Sequence, residues 1–257
     1  MGESMKRYLR AVFISLAVAA THAAAAQSSA SPQGDTWASI AKLPDWGGIW
    51  EVTFGGGPRT PGEPPSLTPA YTARMKEYQE KQRSGEIQDT PAANCVPNGM
   101  PGIMTQPYPL EVLFTPGKVT IVIEAYSQWR QIFTDGRGHP EDPDLTFNGH
   151  SIGHWEGETL VVDTIGFTTD TGLGNFATRH SEKMHIVERM HLTAPDVLTI
   201  ETTITDPEAL TKPWTSSRVY GRHRDWTLAE YVCQQNNRNF VTEDGKAGVN
   251  LKHEGEE

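Results

Sequence analysis

The sequence holds no apolar run long enough to span a bilayer, no cluster of Lys and Arg, and only two cysteines. Each shortage excludes something. A membrane-spanning helix needs about 20 consecutive apolar residues. The run Ala11 to Ala20 falls well short of that and no later segment approaches it, so the expectation is a soluble mature protein with no membrane partner. Acidic residues outnumber basic ones, 32 to 22, for a formal charge of −10. Such a surface repels phosphate backbones, which argues against nucleic acid as a partner. The cysteines form no CxxC pair, and neither HExxH nor His-x-His occurs, so no metal site is expected. Without a GxSxG elbow a serine hydrolase is a weak reading, and no cofactor is implied.

What is present begins with a targeting pattern. Lys6, Arg7 and Arg10 precede the apolar run, and Ala24-Ala25-Ala26 ends in a small-residue cleavage pattern, so residues 1–26 read as a secretory signal peptide. Its removal takes Glu3 with the three cations and leaves the chain near −12. Export to the periplasm or beyond would put Cys95 and Cys233 where disulfides persist. A bond between them is expected, with two buried thiols as the alternative. Residues 27–42 read as a flexible leader, 43–236 as one domain, and 237–257 as a polar tail.

Within the domain the hydrophobic period is mostly two. A first strand carries Trp46 and Trp50. Thr68 before Pro69 starts a helix to about Gly85, with a stripe of Tyr71, Met75 and Tyr78. Five prolines between Pro91 and Pro109 make a loop. Strands follow at 110–114, 118–124, 128–134, 151–155, 160–165, 184–192, 197–205, 214–224 and 226–233, joined mostly by short turns. No strand–helix–strand alternation occurs. The pattern implies an all-β fold, an antiparallel meander of about nine strands closed into a barrel, with one peripheral helix.

The stretch Gly149 to Phe167 reads as a hairpin turning at Glu156 to Thr159. On its second strand Leu160, Val162 and Thr164 share one face and Val161, Asp163 and Ile165 the other. If Asp163 faces inward it needs a partner, and His150 or His154 is nearest in sequence. If it faces water, both histidines merely cap turns. His150 and His154 are four apart, about 13 Å along a strand, too far to share a metal ion. Acid–base pairs survive as candidates: His150 or His154 with Asp163, and His180 or His185 with Glu188. Glu124 and Arg130 flank a short connection and could pair. Glu201 sits mid-strand among apolar neighbours, and Trp50 and Trp155 offer aromatic walls, completing the expected ligand-binding set.

Cys95-x-Pro-x-Gly, Glu124, Arg130-x-Ile-x-x-Asp-Gly-Arg, Gly149-His-Ser-Ile-Gly-His-Trp-Glu-Gly-Glu-Thr-Leu-Val-Val-Asp-Thr, His180-Ser-Glu and Glu188-Arg189 together resemble a group of exported bacterial proteins similar to calycins. The likeness covers roughly 43–236. It implies a lipocalin-like β-barrel of about eight to nine strands and adds nothing to the site assignment. A barrel of that size holds one small ligand. Two functions are therefore expected from the sequence. One is a cofactor-independent lyase or isomerase working by histidine–carboxylate chemistry on a small hydrophobic, aromatic or cyclic compound. The other is a binding or carrier protein for such a compound.

Overall fold

A computed structural model describes residues 33–53, 63–86, 95–175, 177–233, 239–241 and 247–249. The expected signal peptide, residues 1–26, lies outside the described residues. Among the described residues no helix is long and apolar enough to cross a membrane.

Nine strands form a closed barrel: β1 (Ile49–Val52), β2 (Leu110–Thr115), β3 (Lys118–Ile123), β4 (Gln128–Phe133), β5 (His150–Glu156), β6 (Thr159–Ile165), β7 (His185–Ala194), β8 (Val197–Thr205) and β9 (Trp214–His223). Neighbours in sequence are neighbours in space, and β9 closes the ring on β1, antiparallel, with Val52 opposite Tyr220. The meander expected from the sequence is broken at one place. Strands that alternate direction around a ring must be even in number, so a nine-strand ring needs a parallel pair. That pair is β4–β5, with only two register partners, Ile132 with Ser151 and Phe133 with Ile152. The loop 134–149 makes it possible by carrying the chain back to the end from which β4 started.

Alternation along the strands sets the interior. Val119, Ile121 and Ile123 of β3 and Leu160 and Val162 of β6 point inward, and Trp50, Ile132, Ile186, Met190, Ile200 and Tyr220 join them in one core. Each fully buried aliphatic or aromatic side chain contributes about 1.5–3 kcal/mol. Gly153, on the inward parity of β5, has no room for a side chain: a Cβ there would lie 2.8 Å from Ile132 Cγ2. The core is completed by Trp46, Met100 and Ile103, which come from segments outside the strands.

A short helix, α1 (Trp37–Ile40), is capped by Thr36. Just before it Gly34 is buried, and its carbonyl accepts from Gly117 N at 2.9 Å, so the described part of the expected leader is docked on the barrel. The expected peripheral helix is α2 (Pro69–Arg83). Tyr71 is its buried residue, with Met75 and Tyr78 half-buried on the same face. The Thr68 hydroxyl makes no cap bond and instead donates to the Glu208 carbonyl at 2.9 Å, fixing the helix start to the segment after β8.

Residues 226–233 are not a strand. Both edges of β9 are taken, by β8 and β1, so a further strand has nowhere to pair. The segment is tied down instead by the Cys95–Cys233 disulfide and by Ala229 N donating to Glu124 Oε2 at 2.8 Å. In the expected polar tail, β10 (Asn239–Val241) and β11 (Ala247–Val249) pair as a hairpin.

Candidate functional site

Inside and outside of the barrel hold two separate polar networks. The interior one centres on Arg130, which lies on the inward parity of β4 with Ile132 and is 1% exposed. Its Nε donates to Ser151 Oγ at 3.2 Å and its Nη2 to Thr164 Oγ1 at 2.9 Å and to Glu188 Oε2. Nη1 has no partner among the described residues. Glu188 on β7 is equally buried, so the pair is an ion pair in the core. Removed from water, either charge alone would be costly, and the hydroxyls of Ser151 and Thr164 add acceptors for Nε and Nη2. Tyr220 sits alongside, its phenol donating to the Met104 carbonyl. Burial and then the Glu188 charge push its ionisation well above the ordinary tyrosine range.

The exterior network holds the histidines. Asp163 is on the outward parity of β6 and about two-fifths of its side chain is exposed. Its Oδ1 lies 2.7 Å from His185 Nε2 and 3.1 Å from His139 Nε2, and His139 Nδ1 lies 2.8 Å from His150 Nδ1. An ionised carboxylate only accepts, so both Nε2 atoms facing Asp163 carry protons. A neutral His139 then presents a lone pair at Nδ1, and His150 must donate to it. The proton-free atom of the chain is therefore His150 Nε2. Partial burial, and then the neighbouring His139 and Arg137, which disfavour a further positive charge, hold His150 below the ordinary imidazole range. Its ring stacks on Phe133 at 5.5 Å, and the Arg137 guanidinium caps that phenyl at 4.1 Å.

His150 lines an open cleft of about 580 Å³ beside the β4–β5 seam, with Trp129, Phe133, Pro140, Pro143 and Phe147 as apolar walls. The cleft lies where β4 and β5 pair over only two positions, which leaves the start of β4 paired with β3 on one side and with no strand on its β5 side. Asn148 fills part of the gap, its Nδ2 donating to the Trp129 carbonyl at 3.1 Å. Gly149, at φ +68°, lets the chain enter β5: a Cβ there would meet Ile165 O and Phe167 Cε1 at 2.7 Å.

Several placements correct the sequence reading. His150, His154 and Asp163 do not face the barrel interior. His154 is exposed, 3.3 Å from Glu156, and joins neither network. His185 pairs with Asp163 rather than with Glu188, because alternate residues of β7 point to opposite sides of the wall. His180 is buried away from both, between Thr171 Oγ1 at 2.6 Å and the Ser181 carbonyl at 2.8 Å. Glu124 holds Ala229 N rather than Arg130. Glu201 is exposed on the outer face of β8. Trp50 is fully buried, with its Nε1 donating to Trp46 O, and Trp155 packs against Trp46 at 5.5 Å, so both are packing residues. The middle of the barrel is filled by Trp50, Arg130, Met190 and Tyr220, each at most 1% exposed, so the ligand space expected there is occupied by side chains. The sequence reading missed His139. Its signal was the turn Asp135-Gly-Arg-Gly-His-Pro, which sets an imidazole at the start of the loop that returns to β5.

No family model matches the chain, and no curated protein sequence matches it.

Proposed function

We propose that the protein is a cofactor-independent lyase or isomerase that moves a proton on a small aromatic or cyclic compound bound in the seam cleft, with His150 as the acid–base residue. The observation that carries this reading is the Asp163–His139–His150 hydrogen-bond chain ending in an apolar-walled cleft. His150 Nε2 takes the proton from a carbon next to a carbonyl, and the charge spreads over His150 and His139 against the Asp163 carboxylate. The same nitrogen returns the proton to another carbon or to a leaving group, so the balance closes without an oxidant or a cofactor. A depressed imidazole stays neutral near pH 7 and is ready to act as a base. The compartment proposed is the periplasm or the exterior, after cleavage behind Ala26. The Cys95–Cys233 bond supports an oxidising setting, and the resemblance to exported bacterial proteins points the same way.

Solvent deuterium incorporation into a panel of cyclic and aryl ketones, followed by mass spectrometry, reads proton abstraction directly. The wild-type protein is expected to accelerate exchange into at least one compound, and His150→Asn to lose roughly 10²- to 10⁴-fold of that rate. The exposed Trp129 and the phenyl of Phe133 favour retention of an aromatic ligand whether or not it reacts. Binding in the cleft with no exchange above buffer would make the protein a carrier and end the enzyme reading.

A further inference from the structure

We infer that His185 is a positioning residue whose charge state governs how readily His150 takes up a proton, acting through the single Asp163 oxygen that His185 and His139 share. The geometry is a competition. Both Nε2 atoms reach Asp163 Oδ1, and His185 holds the shorter bond, 2.7 Å against 3.1 Å. When His185 is neutral, the carboxylate charge is available to an imidazolium spread over His139 and His150. When His185 is protonated it takes up that charge as an ion-pair partner, and a second positive charge nearby is disfavoured. The two arms therefore behave as coupled sites around one anion.

The arms open into different clefts. His185 lines one of about 550 Å³ with Tyr71, Lys183 and Glu208, whereas His150 lines the seam cleft. Asp142 and Pro143 line both, so this short stretch is the partition between them, and the hydrogen-bond chain runs from one side to the other. The charges facing the chain are few. Arg130, Arg137 and Asp144 stand on the His150 side, Glu182, Lys183 and Glu208 on the His185 side, and Asp142 between. Lys183 is engaged by Glu208 at 2.7 Å, so the basic groups in direct contact with Asp163 are the two imidazoles that share its Oδ1, His185 and His139. A change in protonation in one cleft is thereby felt by the base in the other. The consequence for catalysis rests on the function proposed above, but the coupling itself does not.

The test is an NMR titration of the His150 ring in the intact protein, with no substrate present. His185→Gln keeps an N–H donor toward Asp163 but carries no charge, and should raise the His150 midpoint by on the order of one pH unit, as expected for charges several Å apart at a partly exposed site. His185→Lys keeps the positive charge throughout and should leave the midpoint at or below the wild-type value. Asp163→Asn should lower it. Amide shifts of the core strands check that each variant is folded. A His150 midpoint that stays put in His185→Gln while Asp163→Asn moves it would overturn the role of His185. A midpoint unmoved by both would overturn the coupling altogether. If the coupling is found and no ketone exchanges deuterium, only the enzyme reading fails.

Discussion

Strands β6 and β7 each carry one member of the interior network and one of the exterior network, one residue apart on β6 and three apart on β7. Thr164 and Glu188 point inward to Arg130, whereas Asp163 and His185 point outward to each other. The inner pair is 1% exposed, and the outer carboxylate and imidazole are each about two-fifths exposed. The chemistry differs accordingly. In the core a charge without its partner is very costly, so the buried Arg130–Glu188 pair acts as a structural pin between β4 and β7. On the outer face water softens each charge, so a proton can shift along the imidazole chain at small cost to the fold. One strand thus contributes stability on one face and titratable chemistry on the other.

The largest effect that could break this comparison is loss of the pin. Glu188→Ala leaves Arg130 buried and unpaired, and should destabilise the protein by about 3–5 kcal/mol in urea denaturation. Replacing both partners together, as Arg130→Met with Glu188→Leu, should cost much less, since neither charge is then stranded. An Ala substitution as mild as a surface change would show that the interior network is not the structural one.

A smaller effect concerns pH and sets a histidine buried outside both networks against one on the outer face. His180, buried, and His150, partly buried, are held below the ordinary imidazole range, in each case chiefly by desolvation. A folded state that disfavours protonation binds fewer protons than the unfolded chain. Stability is then complete above the unfolded value of about 6.5 and falls as pH drops from there through the folded values. Asp45, Asp135 and Glu156 are held low by their partners, so their contribution is lost only below about pH 4. The urea midpoint should decline between about pH 7 and pH 5, and His180→Asn should flatten most of that decline. An unchanged decline would place its origin on the outer face.

Much of the fold was legible, and the side of the wall on which each residue falls was less so, for a reason visible in β6. Leu160, Val162 and Thr164 form one face and Val161, Asp163 and Ile165 the other, so each face has two apolar residues and one polar one. Alternation fixed the faces without saying which was inside. In β7 the balance is clearer, because Ile186, Glu188 and Met190 oppose His185, Val187 and Arg189, and the inward face is the more apolar one. That made Glu188 a candidate for the interior, although its partner was Arg130 and not a histidine. The parallel seam and His139 depend on how a 16-residue loop, 134–149, folds back, and local pattern carries no such information. The 226–233 segment has a strand-like sequence, and only the closure of the ring denies it a partner.

The smallest effect is the sharpest test of the comparison. Asp163→Asn removes the charge at the centre of the outer network but leaves a side chain of the same shape whose oxygen still accepts one hydrogen bond. Because the site is open to water, the second imidazole N–H can be solvated at little cost, and exposed ion pairs contribute at most about 1 kcal/mol. The urea midpoint should therefore hardly move, with a loss within roughly 1 kcal/mol. On the function proposed above, deuterium exchange should nevertheless fall, since an imidazolium on His150 and His139 would lose its counter-ion. Stability and activity would then separate between neighbouring strands, with Glu188 on β7 and Asp163 on β6. If Asp163→Asn instead unfolds the protein as readily as Glu188→Ala, the two networks are a single structural unit and the outer histidines are braces, not bases.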